Sequence, residues 1–573
     1  MSKKKFKIRI LPYDKVVYAE HGDLLADVLI KAVPDFILPC GGRGFCGLCR
    51  VKVLKGVCSE PTANEKLHGV AYPYRLACQV HVVSDLEVVV EPPGKLHALT
   101  SGVEPTLEVI EPIVETREID FNRASTPLDR YLVDKMGFRG VTLRALQQLT
   151  TMENMLQVKV YGNTVIGFSN KPKKLGLAVD VGTTKIAVYL VDLDTGLTLW
   201  ESYTVNPQSR YGDDVITRIG VVMKDYNKLK EMHEITVNAI EKLCKEGLRR
   251  IDVKDSDILA LVAVGNPVMI SILLGIDPRP LGRYPFEPLA STFFEGYGSE
   301  LGFKLLRDCW FYIPPAVSGF IGSDALADLI TAEALKTGYR RYLLMDLGTN
   351  TEIILVEDED FLASSAPAGP ALEGGHISSG IKAVEGAIYR VRLRDDGSVA
   401  YSFYGREPRG LSGSGLISLV AELLRKGLLS IDGRFRGRLA LEKNFIVDKE
   451  RGIRVTQRDI RELQKAKAAI SSVWKTLLAT RGLSVRDLEA VYVCGSFGSN
   501  IDPDDALQIG LLPPVSRNKV YVLGNAAGTG ARLILKSRYY KGRLEDISRR
   551  MKVVKVAEGK KYMRIWVENL AFG

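Results

Sequence analysis

The sequence predicts an α/β protein of several domains whose C-terminal part is a duplication. Three observations carry this. The 573 residues exceed one domain at about 100–200 residues each. An apolar share of 46% and a charged share of 25% are those of a folded globular chain. One strand–turn–strand pattern, AVDVGTTKIAVYLVD at 178–192, returns as LMDLGTNTEIILVED at 344–358. No run of about 18 uncharged apolar residues occurs, so no membrane span is expected. The start, MSKKKFKIRILPYDK, alternates charge with Phe6, Ile8 and Ile10, which reads as a strand and not as a signal peptide. The expected compartment is the cytoplasm.

In chain order, KFKIRI and KVVYAE read as strands of period two, and Asp23 as the cap of an apolar-periodic helix, LLADVLIKAV. A glycine-rich cysteine loop follows, then a strand at RVKVLKG and two extended runs, LACQVHVV and LEVVVEP. These elements make a first domain, 1–95, closed by the breaker cluster EPPGK. Residues 96–125 lack a clear period and read as a linker. A small middle domain, 126–174, holds a helix in STPLDRYLVDKM, capped by Ser125 or Thr126, and a hairpin in QVKVYGNTVIGF. From 175 to 573 the chain reads as the duplicated unit, two related halves facing a shared cleft.

The net charge is +10. Nearly all the excess falls between Arg532 and Arg564, which hold 12 Lys and Arg against three Asp and Glu. This is either a solvated helix face with a lysine-protected strand edge, or a docking patch for an acidic partner. No nucleic-acid motif accompanies it, so no nucleic-acid partner is expected.

Three of the eight cysteines crowd into CGGRGFCGLC: Cys40, Cys46 and Cys49. Cys78 follows in YRLACQV. In a chain without a secretory signal, such crowding points to metal ligation before disulfides. A C-x5-C-x2-C…C pattern is close to that of [2Fe–2S] sites and resembles the adrenodoxin-like variant. Gly41, Gly42, Gly44 and Gly47 allow the loop to wrap a cluster and aim N–H groups at sulfur. Structural zinc is the alternative, but it favours two CxxC-like pairs, and Cys78 has no such companion. Cys58 is another candidate ligand. Cys244, Cys309 and Cys494 stand in apolar runs and read as buried small residues. One cluster per chain is expected.

The two Asp-x-Gly-Thr turns carry the second chemistry. Backbone N–H groups and threonine hydroxyls of such turns can cradle phosphate oxygens. Their aspartates suit Mg²⁺, directly or through water. The candidates are Asp180, Gly182, Thr183, Thr184 and Lys185 in the first turn and Asp346, Gly348, Thr349 and Asn350 in the second. GxxxxGK[ST] is absent, so this is not a P-loop protein.

These turns resemble phosphate 1 and phosphate 2 of the RNase H-like superfamily of acetate and sugar kinases, chaperone ATPases and actin. VYVCGSFGSNID (491–502) resembles its adenosine motif, with Gly495, Ser496 and Gly498, and GNAAGTGA (524–531), opening at Gly524, resembles the second connecting helix. AVSGFIGSDALADLI (316–330) resembles the first connecting helix, in which Asp324 either positions an attacking water or caps the helix. The first domain resembles the β-grasp ferredoxins. Over its whole length the chain resembles the reductive activators of corrinoid proteins, through CGGRGFCGLCRVKV, AGPALEGGHISSGIKA, GLSGSGLISLVAELL, TQRDIRELQKAKAAI and GSFGSNIDPDDALQIGLLP. Ser412 stands where that family's pattern has cysteine, and VGNPVM (264–269) departs from its threonine-rich form.

The resemblance implies an α/β multidomain fold with a β-grasp ferredoxin domain, a small middle domain and a duplicated actin/sugar-kinase-type ATPase domain. It implies a [2Fe–2S] cluster, ATP and Mg²⁺ as cofactors, and ATP-dependent transfer of one electron to a Co(II) corrinoid. The implied partners are the corrinoid protein of a methyltransferase system and an upstream low-potential donor, with a homodimer as the working form. The transfer is uphill from a cluster near about −400 mV, and each ~59 mV of shortfall costs roughly tenfold. The alternatives are an activator of another low-potential enzyme and a small-molecule kinase with an appended ferredoxin.

Overall fold

The computed structural model describes residues 4–33, 36, 49–67, 70, 72–90, 102–119, 127–148, 157–169, 173–348, 350–498, 501–556 and 560–573. Residues 5–89 form a five-stranded sheet in the order β2-β1-β5-β3-β4: β1 Lys5–Leu11, β2 Lys15–Glu20, β3 Arg50–Lys55, β4 Tyr74–Leu76 and β5 Leu86–Val89. In β1 the apolar Phe6, Ile8 and Ile10 turn inward and the basic residues outward, so period-two alternation fixes its face. The helix Leu25–Ala32 buries Leu25, Ala26 and Leu29 in the same core. Two expectations fail here. The helix cap is Leu24, and the Asp23 carboxylate instead accepts a hydrogen bond from Glu20 N at 2.8 Å. The run 76–83 is not a strand, because a 3-10 turn, Ala77–Gln79, interrupts it at Cys78.

A four-stranded sheet, β6-β8-β9-β7, follows: β6 Val114–Glu118, β7 Gly140–Val141, β8 Gln157–Tyr161 and β9 Thr164–Ser169. β8 and β9 form the expected hairpin around Gly162-Asn163. The stretch read as a linker is structured where described. It supplies β6, and Val103 N, Glu111 N and Ile113 N donate to carbonyls of Leu523, Lys536 and Leu535. The expected caps Ser125 and Thr126 lie outside the described residues.

The duplication is visible in two six-stranded sheets. The first runs β12-β11-β10-β13-β15-β14, from β10 Leu175–Val181, β11 Lys185–Asp192, β12 Thr198–Val205, β13 Ile258–Gly265, β14 Phe294–Tyr297 and β15 Trp310–Ile313. The second runs β25-β24-β16-β17-β18-β26, from β16 Arg341–Leu347, β17 Thr351–Glu357, β18 Asp360–Ala366, β24 Ala490–Cys494, β25 Val520–Gly524 and β26 Lys552–Val553. β19 Ala387–Leu393, β20 Val399–Phe403 and β21 Gly410–Leu411 make a small sheet, and β22 Asn444–Asp448 pairs with β23 Ile453–Thr456. In each half the leading strand pairs antiparallel with its successor and parallel with a later strand: β10 with β11 and β13, β16 with β17 and β24. β10 and β13 are buried along their whole length, as strands covered on both faces are.

Two helices lie between the sheets, Ser323–Ala334 and Ala526–Lys536. The first is buried all round except at Asp324 and Glu333, and the second is buried throughout. They cross closely: a Cβ at Gly530 would lie 2.1 Å from the Ala327 carbonyl oxygen, and Thr331 Oγ1 donates to Ala526 O at 2.8 Å. One core cluster runs through both helices and both sheets. Among the described residues, no helix is long and apolar enough to cross a membrane.

Five of the basic residues of the C-terminal stretch pair with acids from elsewhere in the chain. Arg532 and Lys536 both pair with Glu104, Arg538 pairs with Glu115, and Arg543 reaches Glu333 and Glu359. Arg550 pairs with Glu359 at 3.0 Å. Arg532 and Lys536 are each 3% exposed, so this part of the segment is not the solvated face expected from the sequence.

The helix crossing predicts a contrast. Gly530→Ala should cost about 1–3 kcal/mol through overpacking. Gly542→Ala, where a Cβ meets nothing within 4 Å, should stabilise by about 0.5–1 kcal/mol. Thermal unfolding of the two variants beside the parent checks the opposite signs.

Candidate functional site

The first site is a pair of thiols. Cys49 precedes β3 and Cys78 lies in the 3-10 turn after β4; both are 3% exposed, with their sulfurs 3.2 Å apart. A disulfide would bring them to about 2.05 Å, so they are two thiols side by side. Ala77 N donates to Cys49 O at 2.9 Å and ties the two segments together. Gln79 Nε2 approaches Cys78 Sγ at 3.7 Å. A buried ion pair braces the approach to Cys78. Arg75 Nε and Nη2 reach the two oxygens of Glu65 at 2.8 and 3.0 Å, and Leu76 N donates to Glu65 Oε1 at 2.9 Å. Burial opposes the Glu65 charge, but Arg75 and the backbone donors outweigh it and hold its carboxyl below the usual range. Cys40 and Cys46 lie outside the described residues. Two converging buried sulfurs fit a metal–sulfur group. Cys58 is half-buried, its backbone paired with Val82. Burial pushes up the thiols of Cys244, to about 12, and of Cys309 and Cys494, as expected of cysteines that only fill space.

The second site is a cavity of about 430 Å³ between the two halves. Both phosphate-type turns border it, through residues 182–184 between β10 and β11 and through Gly348 and Asn350 between β16 and β17. Of the residues singled out in the sequence, Asp180, Gly182, Thr183, Thr184, Lys185, Asp324, Asp346, Gly348, Asn350 and Gly495 line it. Gly498 and Gly524 do not. Gly498 packs behind the turn towards Val493 and Leu347, and Gly524 ends β25 at φ +72°. Thr349 lies outside the described residues. Ser496 belongs to the short helix Gly495–Gly498. Glycine is required at 495, which has φ +89° and where a Cβ would lie 2.0 Å from Asp346 Oδ1.

The first turn is held from beneath by residues that sequence reading did not single out. Asn206, fully buried, donates to Gly182 O at 2.8 Å. Arg218, fully buried, donates to Thr183 O at 2.6 Å and Gly212 O at 2.9 Å. Asn266 Nδ2 reaches Thr183 Oγ1 at 3.0 Å while its Oδ1 caps the helix Pro267–Leu273, which gives VGNPVM its use here. Asn525 Nδ2 donates to Asp180 Oδ2 at 2.9 Å, and its Oδ1 caps the second connecting helix. An asparagine ahead of a helix was the available signal for both. Ser412 likewise caps Gly413–Arg425, and its hydroxyl donates to Ile388 O at 3.0 Å.

Eight carboxylates line the cavity against two lysines, Lys185 and Lys382. The electrostatics follow. Burial first, and then Asp346, push the Asp324 carboxyl up to about 8. Burial and Asp180 raise that of Asp346, and burial and Asp346 raise Asp328 and Glu352. Burial lowers the Lys185 pKa despite the pull of Asp180 and Asp346. Asp324 is not the cap residue of its helix, which is Gly322; its Oδ1 accepts from Ala325 N at 2.9 Å. Asp328 is 1% exposed, and its carboxylate lies against the Cys494 thiol and the Asp346 carboxyl. Asp328, Asp346 and Cys494 offer ligand atoms within 4.8 Å of one another. This excess of carboxylate oxygen fits a hard divalent cation; Mg²⁺ would take the oxygens and not the thiol.

Residues 340–573 match the family described as the C-terminal domain of RACo, the ASKHA domain; 175–337 match the RACo middle region; and 8–83 match the 2Fe-2S iron-sulfur cluster binding domain. The first two meet at the boundary between the duplicated halves. The chain is 29% identical over 587 residues to the corrinoid activation enzyme RamQ of Eubacterium limosum, covering 96% of each. It is 30% identical over 409 residues to the [Co(II) methylated amine-specific corrinoid protein] reductase of Methanosarcina barkeri, covering 65% of this chain and 71% of that one. The solved structure of a reductive activator for a corrinoid, iron-sulfur protein superposes with a TM-score of 0.70 at 28% identity, covering 99% of this chain and 98% of the other.

A carboxyl raised by the fold is stabilising while protonated and loses that advantage as pH rises through its folded value. Asp324→Asn should therefore raise the melting temperature of the nucleotide-free protein at pH 8, by at least about 2 °C, with a smaller gain at pH 5. Thermal melts at the two pH values check it.

Proposed function

The chain belongs to the family of reductive activators of corrinoid proteins, and we propose that it returns the Co(II) corrinoid of a partner protein to Co(I) by one electron, under the control of ATP. The carrying observation is the coexistence in one chain of converging thiols on a ferredoxin-type sheet and two phosphate-type turns facing one cavity.

The ligands of the [2Fe–2S] cluster on this reading are Cys40, Cys46, Cys49 and Cys78. Held there, a cluster would supply one-electron chemistry, one electron to each Co(II) reduced. Gln79 faces Cys78 Sγ with an N–H donor, which favours the more negative, reduced state. The buried Glu65–Arg75 pair keeps the Cys78 segment in place whatever the charge beside it.

ATP occupies the cavity between the halves. The N–H groups of both turns and the hydroxyls of Thr183 and Thr184 bind its phosphate oxygens. Asp180 and Asp346 would hold Mg²⁺, directly or through water. Asn525 orients Asp180, and Arg218, Asn206 and Asn266 hold the first turn in the shape that receives phosphate. Asp324 retains its proton at neutral pH while the cavity is without a cation. Neutralising Asp346 would lower that hold and let Asp324 orient water by accepting its proton. Because the turns belong to different halves, a ligand that touches both changes the angle between them, and closure selects the reducible state of the docked corrinoid. The corrinoid protein belongs to a methyltransferase system on this reading. An upstream low-potential donor refills the cluster. The working form is read as a homodimer on family grounds alone.

Two lesions should separate the two chemistries. Cys49→Ala should abolish the visible absorption of the cluster and all Co(II) reduction while ATP hydrolysis persists. Asp346→Ala should keep the cluster spectrum and lose at least about 100-fold in ATP turnover, together with reduction. Absorption spectra and ATPase assays of both variants check the split; a Cys49→Ala protein with an unchanged spectrum contradicts the cluster assignment.

A further inference from the structure

One contact crosses the mouth of the cavity. Lys382 Nζ lies 2.8 Å from Asp213 Oδ2, the side chains 23% and 18% exposed, and both residues line the cavity. Asp213 belongs to the first half, ahead of the helix Val215–Lys224. Lys382 belongs to the second, near the end of the block AGPALEGGHISSGIKA.

The cavity must accept a polyanion, yet Lys185 and Lys382 are the only fixed cations among its described lining residues. Lys185 is buried beside Asp180 and Asp346, which draw on its charge. Lys382 is thus the cation able to change partners. Its ammonium rides on a flexible four-carbon stem with three donors. Its backbone is anchored by Ile381 N to Leu411 O at 2.9 Å and Val384 N to Lys382 O at 2.7 Å. Asp213 is anchored as firmly. Asp214 caps the following helix through Thr217 N at 2.7 Å, and Arg218 holds Gly212 O. Either partner can leave the other without its loop giving way.

From this geometry we propose that Lys382 binds the phosphate tail of the nucleotide, and that Asp213 holds it in reserve across the cleft until nucleotide arrives. Binding exchanges an ion pair between the halves for a lysine–phosphate contact. The clasp at the mouth opens at the step that also engages both turns, which couples occupancy to the angle between the halves. The proposal rests on the nucleotide reading of the cavity and adds to it a phosphate ligand from outside either turn.

The test is equilibrium binding of Mg-ATP and of adenosine to the full chain, by calorimetry. Lys382→Met should weaken Mg-ATP by about 10- to 100-fold, the worth of a charged hydrogen bond, and adenosine by less than about twofold. Asp213→Asn should tighten Mg-ATP by about two- to fivefold, the worth of a part-exposed ion pair, and should lose that effect in the Lys382→Met background. Equal binding of Mg-ATP by the parent and Lys382→Met overturns the proposal while leaving the nucleotide site standing. Tightening by Asp213→Asn that persists without Lys382 overturns the reserve role, since it reports only general repulsion. A parent protein that binds no Mg-ATP sinks the nucleotide reading and this proposal together.

Discussion

Everything in the C-terminal part of this protein is arranged around the repulsion between Asp180 and Asp346. The two carboxylates lie at the ends of equivalent strands of a duplicated unit and face one cavity, where burial and then the Asp180 charge raise the Asp346 carboxyl. Such a pair is costly to bury unless something positive comes between. Lys185 offsets part of the cost, and Asn525 fixes Asp180 by a hydrogen bond. Burial raises Asp324, Asp328, Asp346 and Glu352 as well, so the empty cavity disfavours further negative charge. A fold that keeps these groups together spends stability on readiness to bind.

What holds them together is the pair of helices between the sheets. Gly530 lets the second helix approach the carbonyl of Ala327 in the first, and Gly495 lets the chain pass over Asp346 without a side chain. Each connecting helix begins at the cavity and packs in a core shared with both sheets. The electron-transfer sheet is built on a different principle, in which an internally paired Glu65–Arg75 stiffens the strand that presents Cys78.

How much of this was legible depends on how far apart the partners lie in the chain. The duplication, the turns and the cysteine loop are local patterns, and the two sheets, the paired strands and the cavity bear out the fold class read from them. The supports of the first turn were not legible. Arg218 touches Thr183 and Asn525 touches Asp180 only after the chain has returned; an asparagine ahead of a helix signals a cap but not the carboxylate it reaches, and an isolated arginine signals neither. Asp213 and Lys382 were hidden for the same reason. The stretch 96–125 misled because its order comes from hydrogen bonds to the far C-terminal part and not from its own periodicity. The run 76–83 misled because the turn that presents Cys78 interrupts an apolar strand pattern. The basic C-terminal segment was ambiguous because its acidic partners, Glu104, Glu333 and Glu359, come from elsewhere in the chain.

The central claim is that nucleotide in the cavity governs an electron leaving the thiol-bound cluster. Its most direct test is anaerobic electron paramagnetic resonance of the reduced protein mixed with a Co(II) corrinoid protein, with and without Mg-ATP. The expected result is a [2Fe–2S] signal in the reduced protein and a Co(II) signal that disappears only when Mg-ATP is present. A Co(II) signal that persists with Mg-ATP, or that disappears equally without it, would contradict it.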